Sequence, residues 1–220
     1  AEFSQLPGAS VVLQNPLNAD LARVRRSLVP FLVKTAALNA RRRATTFRYF
    51  EIDKIFSRPG VAAEAPDPAR EPVEHWALGI LLGGAATDAD WSTRREADFF
   101  DLKGAVESVF EMLRVPRPVF EATEIEGYLT GTAASVVIGG ERVGAIGQIA
   151  PDHLASRKIL NAVFAAELFL GKLVAAALPT ARYEPLPRFP GVFRDLSFVV
   201  KRDVSYTAIE NAIREAAGPY

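Results

Sequence analysis

The sequence predicts an α+β fold, with a largely antiparallel sheet and helices against it. Three observations carry that expectation. The runs 133-AASVVIG-139 and 142-RVGAIGQI-149 flank Gly139-Gly140-Glu141, a strong hairpin signal. Strand-like segments follow one another as hairpins with helices inserted, not in regular β–α–β alternation. Two segments, 27–40 and 99–113, carry apolar residues at helical spacing.

Taken in order, 9-ASVVLQNP-16 reads as a short strand ending at Pro16. Ser27 is a good N-cap for a helix to about Ala40, with Leu28, Phe31, Leu32, Thr35 and Leu38 at helical intervals. Pro30 falls in the first turn, where its missing N–H costs little. The aromatic and β-branched run 45-TTFRYFEIDKIF-56 predicts a strand. Residues 57–74 hold four prolines and predict an exposed, mobile loop. Strand 75-HWALGILLG-83 is nearly all apolar and so central, and a polar connection, 84–97, leads to the second helix. There Phe99, Leu102, Val106, Val109, Phe110 and Leu113 share a face. Strand 117–125, the hairpin, a short helix after Pro151 and strand 162–170 follow. A Pro-rich linker at 179–193 leads to strand 194–201 and helix 206–217.

Composition narrows the function. About half the residues are apolar (49%), which excludes wholesale disorder. Lys+Arg and Asp+Glu are 26 each, so there is no global basic field for nucleic acid, and RNA contact would have to be local. The absence of cysteine excludes disulfides, Cys-ligated metals and thiol nucleophiles, and fits a reducing cytoplasm. The longest apolar run, 162-AVFAAELFLGKLVAAAL-178, is broken by Glu167 and Lys172 and does not predict a membrane span. The N-terminus does not read as a signal peptide, and without an initiator Met the chain is expected to be cut from something longer.

No catalytic constellation emerges. His75 opens an apolar strand and His153 follows Pro151-Asp152, with no second ligand at metal spacing. Gly171-Lys172 lacks the upstream glycine of a phosphate loop, and the glycines of 139-GGERVGAIG-147 sit in a hairpin. Asp88 and Asp90 lack the ligand count of a calcium loop. Glu124 and Glu126 alternate along a strand and face solvent. Arg41, Arg42 and Arg43 stand where a helix ends and complement its dipole. With Arg188 and Arg194 they are the candidates for RNA or partner contact. The sites expected on catalysis, cofactor and metal are none.

Five segments in order carry a resemblance: 15-NPLNADLARVRRSLVPFLVKTAALNARRR-43, 49-YFEIDKIF-56, 98-DFFDLKG-104, 144-GAIGQIAP-151 and 189-FPGVFRDLSFVV-200. Together they resemble the C-terminal half of the bacterial phenylalanyl-tRNA synthetase β subunit, over nearly all of residues 11–220. The chain departs from the family pattern at Phe31 and Asp53, where glycine is usual, at 129-LTGT-132, and at Ala150. The resemblance implies a class II aminoacyl-tRNA synthetase-like module over 1–180, mainly an antiparallel sheet flanked by helices, then a linker at 181–193. Residues 194–220 would be the first strand and helix of a truncated ferredoxin-like anticodon-binding domain, expected to dock on a neighbouring chain or show weak order. It also implies a catalytic-like but non-catalytic module. The Arg-x-Glu pair of class II activation is not matched by Arg48 and Glu51, and 164-FAAELFLGKL-173 contains no arginine. The implied partners are the synthetase α subunit, in an α2β2 heterotetramer, and phenylalanine tRNA through the intact subunit. ATP and Mg would belong to the holoenzyme only. The chain alone is expected to self-associate through an exposed apolar patch. The alternatives are a stand-alone class II-like ATP-dependent ligase and a tRNA-binding module.

Overall fold

The computed structural model describes residues 3–6, 8–18, 22–58, 71–86, 95–178, 183 and 190–217. They fall into two units, Ala1–Pro179 and Thr180–Tyr220. In the first unit the order is α1 (Val29–Ala40), β1 (Phe47–Ser57), β2 (Val73–Gly83), α2 (Phe99–Met112), β3 (Val119–Ala122), β4 (Ala134–Ile138), β5 (Glu141–Gln148), α3 (Pro151–Ala155), β6 (Val163–Phe169) and α4 (Leu170–Ala176). The strands make one six-stranded sheet, β1-β2-β6-β5-β4-β3. Every neighbouring pair is antiparallel, as the hairpin pattern predicts.

Side chains alternate across a strand, so the sheet presents two faces. On one, Leu78 and Ile80 of β2, Ile146 of β5 and Phe164 and Leu168 of β6 pack against Leu102, Val106 and Phe110 of α2 and Leu173 of α4. On the other, Leu81 of β2 and Val163 and Ala165 of β6 meet Val29, Leu32, Val33 and Ala36 of α1, with Phe3 and Tyr128 alongside. A smaller cluster of Leu6, Leu28, Ile55, Ala77 and Phe169 continues this second face. Burial on both faces explains why β2 and β6 read as near-continuous apolar runs.

Local signals set the element ends. Asp98 accepts hydrogen bonds from the backbone N–H groups of Phe100 (2.8 Å) and Asp101 (3.1 Å), and Asp101 Oδ2 accepts one from Asp98 N–H (2.8 Å). This reciprocal box starts α2. Arg95 grips both Asp101 oxygens at 2.7 Å, and that pairing holds the Asp101 carboxyl down to about 2. Gly139 and Gly140 have φ of 56° and 83°, the two left-handed residues that a tight hairpin turn requires.

Three expectations are corrected. Residues 9–16 form no strand: Ala9 and Val12 make isolated bridges to Arg58 and Arg23, and Val12 and Leu13 stay half exposed, so no continuous face is buried. The strand at 117–125 shrinks to Val119–Ala122, behind two prolines that cannot donate to a ladder. The strand expected at 162–170 is β6, and α4 follows it directly, a helix that periodicity cannot pick out within continuous apolar sequence. In the second unit, no strand among the described residues pairs with 194–201. Its Leu196, Phe198 and Val200 instead line an apolar groove of about 610 Å³ with Ile209, Ala212 and Ile213 of α5 (Tyr206–Ala217), the helix expected there. The linker at 179–193 and the loop at 57–74 lie largely outside the described residues, as do Asp88 and Asp90.

Phe110 is 1% exposed at the centre of the α2 face, whereas the Asp98 cap sits at the surface. Phe110→Ala should cost about 3–5 kcal/mol by denaturant titration, and Asp98→Ala only about 1 kcal/mol. Equal costs would contradict this division between core and cap.

Candidate functional site

The middle of the α1 face holds an ionisable group where an apolar one would be expected. Glu167 of β6 is fully buried, opposite Gly79 on one neighbouring strand and Ala145 on the other. Gly79 has a packing reason: a Cβ there would come within 2.9 Å of Leu32 Cδ1 and 3.0 Å of Leu28 Cβ. Small neighbours thus let the start of α1 settle onto the sheet, directly against the carboxyl. Glu167 Oε1 accepts hydrogen bonds from Leu28 N–H (2.6 Å) and Ser27 Oγ (3.0 Å). Ser27 Oγ in turn accepts from Val29 N–H (3.2 Å). A helix start leaves its first N–H groups without intrahelical partners, and the oxygens of Glu167 and Ser27 take two of them.

Burial pushes the Glu167 carboxyl up to about 7, against the opposing pull of the Leu28 and Ser27 hydrogen bonds. Its Oε2 has no hydrogen-bond partner among the described residues, and neither has the buried hydroxyl of Tyr128. Burial, then the nearby Glu167, raises the Tyr128 phenol and keeps it protonated. Gln5 bridges from the N-terminal segment, its amide donating to the Glu167 carbonyl (3.5 Å) and its oxygen accepting from Arg142 Nη2 (3.2 Å).

Arg25 ties the segment before α1 to the edge strand. Its guanidinium pairs with Glu51 Oε1 at 2.8 Å and with Asp53, donates to the Lys54 carbonyl at 2.8 Å, and lies over the Phe31 ring at 5.7 Å. The bond from Arg25 holds the Asp53 carboxyl below its ordinary range. A cleft of about 750 Å³ lies between Trp76, Phe169, Arg142 and Lys172. Lys172 is engaged by Glu141 (3.0 Å) and the Arg142 carbonyl (2.8 Å), so its cation is not presented free to a phosphate. His75 borders the cleft and hydrogen-bonds Ser57 Oγ at 3.2 Å. Burial first, and Lys172 second, lower its pKa, leaving a neutral ring. No group of three or more metal-ligating side chains occurs among the described residues, and no helix there is long and apolar enough to cross a membrane.

The residues singled out in the sequence fall into three places. Arg41, Arg42 and Arg43 are exposed and follow α1 directly. Arg43 adopts φ 70°, and the Ala44 N–H returns to the Asn39 carbonyl (3.1 Å), closing the helix by a left-handed cap. Arg194, in the second unit, is exposed and donates to the Phe193 carbonyl (3.0 Å). Arg188 lies outside the described residues. Sequence reasoning named neither Glu167 nor Arg25 as a site. A lone acid inside an apolar strand was the available signal for Glu167, and it served only to exclude a membrane span.

The raised carboxyl has a definite consequence for stability. Glu167 releases its proton at about 7 in the fold and at an ordinary 4.5 when unfolded, so the folded state binds more protons between those values. Its contribution is fully present below about pH 4.5 and is lost as pH rises to about 7, at about 1.4 kcal/mol per unit. Denaturant titrations across that window should show wild type losing about 3 kcal/mol relative to Glu167→Gln. A flat difference would place the carboxyl in the ordinary range.

Known proteins agree with this architecture. The family model described as the phenylalanyl tRNA synthetase beta chain CLM domain matches residues 2–170. The phenylalanine–tRNA ligase beta subunit of Symbiobacterium thermophilum is 36% identical over 209 residues, 94% of this chain and 23% of that one. Those of Moorella thermoacetica and Xanthomonas oryzae pv. oryzae are also 36% identical, over 95% and 98% of this chain and 25% and 26% of theirs. The chain therefore spans about a quarter of the length of these relatives. The crystal structure of pyrrolysyl-tRNA synthetase from Desulfitobacterium hafniense superposes with a TM-score of 0.52 at 14% identity, over 76% of this chain and 52% of that one, a likeness of fold alone. With residues 2–170 matched, the chain belongs to the phenylalanine–tRNA ligase β-subunit family.

Proposed function

We propose that this chain is a non-catalytic, α-subunit-binding part of a phenylalanine–tRNA ligase β subunit, supporting the ATP-dependent attachment of phenylalanine to its tRNA. One observation above all supports the reading: the sheet is filled with protein on both sides. Helix α1 and Glu167 occupy one face, and α2 and α4 cover the other. Class II activation needs arginines converging on a triphosphate. Here Arg25 is taken up by Glu51 and Asp53, and Arg142 by Gln5.

In this reading the α subunit carries the chemistry, within an α2β2 assembly working in the cytoplasm. ATP and Mg then bind the holoenzyme and not this chain, and phenylalanine tRNA is held by the intact β subunit. Residues from 194 onward open a ferredoxin-like unit whose apolar groove, lined by Leu196, Phe198 and Ile213, awaits further strands. Without a partner, exposed Phe50, Ile52 and Met112 around a groove between β1 and α2 favour self-association.

Phenylalanine-dependent exchange of labelled pyrophosphate into ATP separates the readings. The chain alone should give background exchange, and it should co-purify with the α subunit in a complex that aminoacylates tRNA when the rest of the β chain is present. Exchange by the chain alone would overturn the proposal in favour of a stand-alone ligase.

A further inference from the structure

The cleft of about 750 Å³ opens near the starts of β2 and β5, where β6 passes into α4. Its walls are largely apolar and include Trp76, Phe169 and Leu170. Lys54 lies over the Trp76 ring at 5.7 Å, yet the indole stays half exposed (52%). A concavity of this size, with apolar walls and a few converging polar groups, suits a small organic molecule.

Its charges narrow the chemistry. Three charged side chains line the cleft: Glu74, Arg142 and Lys172. Two of them are compensated from outside it, Glu74 by Lys54 (2.5 Å) and Lys172 by Glu141 (3.0 Å). His75 adds none, because burial keeps its ring neutral. Arg142 is left over. Its Nη2 donates to Gln5 Oε1 (3.2 Å) and its Nε to the Gly144 carbonyl (3.4 Å), both uncharged acceptors. Among the described residues it forms no ion pair, and its Nη1 has no hydrogen-bond partner. Exposed arginines elsewhere on the chain also lack an acid, but water solvates them. Arg142 is half-buried, and burial pulls its guanidinium below the ordinary value. A cation drawn into an apolar cleft carries a desolvation cost that one bound anion would offset.

We propose that this cleft binds a small monocarboxylic acid with an aromatic body, its carboxylate on Arg142 and its ring against Trp76 and Phe169. Three features select that class. One uncompensated cation matches one negative charge, not the several of a triphosphate. The planar fork of a guanidinium fits the two oxygens of a carboxylate. Trp76 and Phe169 supply flat apolar surface for a ring. A free amino acid fits less well, since its ammonium needs an acid and Glu74 is already held by Lys54. The proposal concerns binding alone. It asks nothing of another chain, so it does not rest on the partner-binding reading above.

The test follows the Trp76 indole N–H of the 220-residue chain by nuclear magnetic resonance, the signal being assigned with Trp76→Phe. Phenylpropionate, its uncharged amide, phenylalanine and ATP are titrated in turn. Phenylpropionate should give a saturable shift, and the amide, phenylalanine and ATP should each bind about tenfold more weakly or less. Arg142→Gln should weaken phenylpropionate about tenfold or more, with Arg142→Lys restoring only part, because it returns the charge without the fork. Arg202→Gln, an exposed arginine of the second unit, should change nothing. The ligand series uses wild type alone, so it decides the matter even where an Arg142 variant does not fold. No saturable shift with phenylpropionate would overturn the proposal, as would an amide that binds as tightly as the acid. Tighter binding of phenylalanine or ATP would assign the cleft to another ligand class and overturn it as well.

Discussion

A single buried carboxyl organises the sheet face that matters most here. Glu167 sits where β2, β6 and β5 run side by side, and its Oε1 takes the Leu28 N–H and the Ser27 hydroxyl. An isolated acid in such a place would cost several kcal/mol. The helix start offsets that cost, because it supplies donors and a partial positive charge where the acid needs them. The dependence runs both ways. Leu28, assigned as the N-cap of α1, has no capping side chain of its own, and the helix settles on the sheet because Gly79 leaves room for Leu28 and Leu32. Acid, glycine and helix start therefore form one unit, and protein side chains fill the sheet face they cover.

The same helix links the inside of the molecule to its surface. Its inner side is fixed by that closure, while its outer side presents Phe31, Lys34, Leu38 and Arg41. Arg25 strengthens the connection by joining the segment before α1 to Glu51 and Asp53 of the edge strand. Membership of the phenylalanine–tRNA ligase β-subunit family gives that surface a setting.

Much of the fold was legible because its signals are local. The turn glycines announce the β4–β5 hairpin, the apolar face from Phe99 to Leu113 announces α2, the aromatic and β-branched run announces β1, and the nearly all-apolar run announces β2. What was not legible depends on pairing across the chain. The 9–16 segment has the residues of a strand but finds only single bridges, and α4 hides inside an apolar run whose strand and helix parts have the same composition. The site was harder still. Glu167 is separated from its partner Ser27 by 140 residues, so no spacing rule could join them. Arg41–Arg43, by contrast, were visible as a run, and their position after α1 agrees with the helix-end reading. That they form no ion pair among the described residues became apparent only in three dimensions.

The closed sheet face stands or falls with the state of Glu167. The direct measurement is a pH titration of the folded chain by nuclear magnetic resonance, following the side-chain carboxyl carbon of Glu167 and the backbone amide of Leu28. The account predicts that both move together with a midpoint near 7, the acid titrating inside the fold against the helix start. A carboxyl midpoint near the ordinary 4.5, with a Leu28 amide that does not follow it, would contradict it.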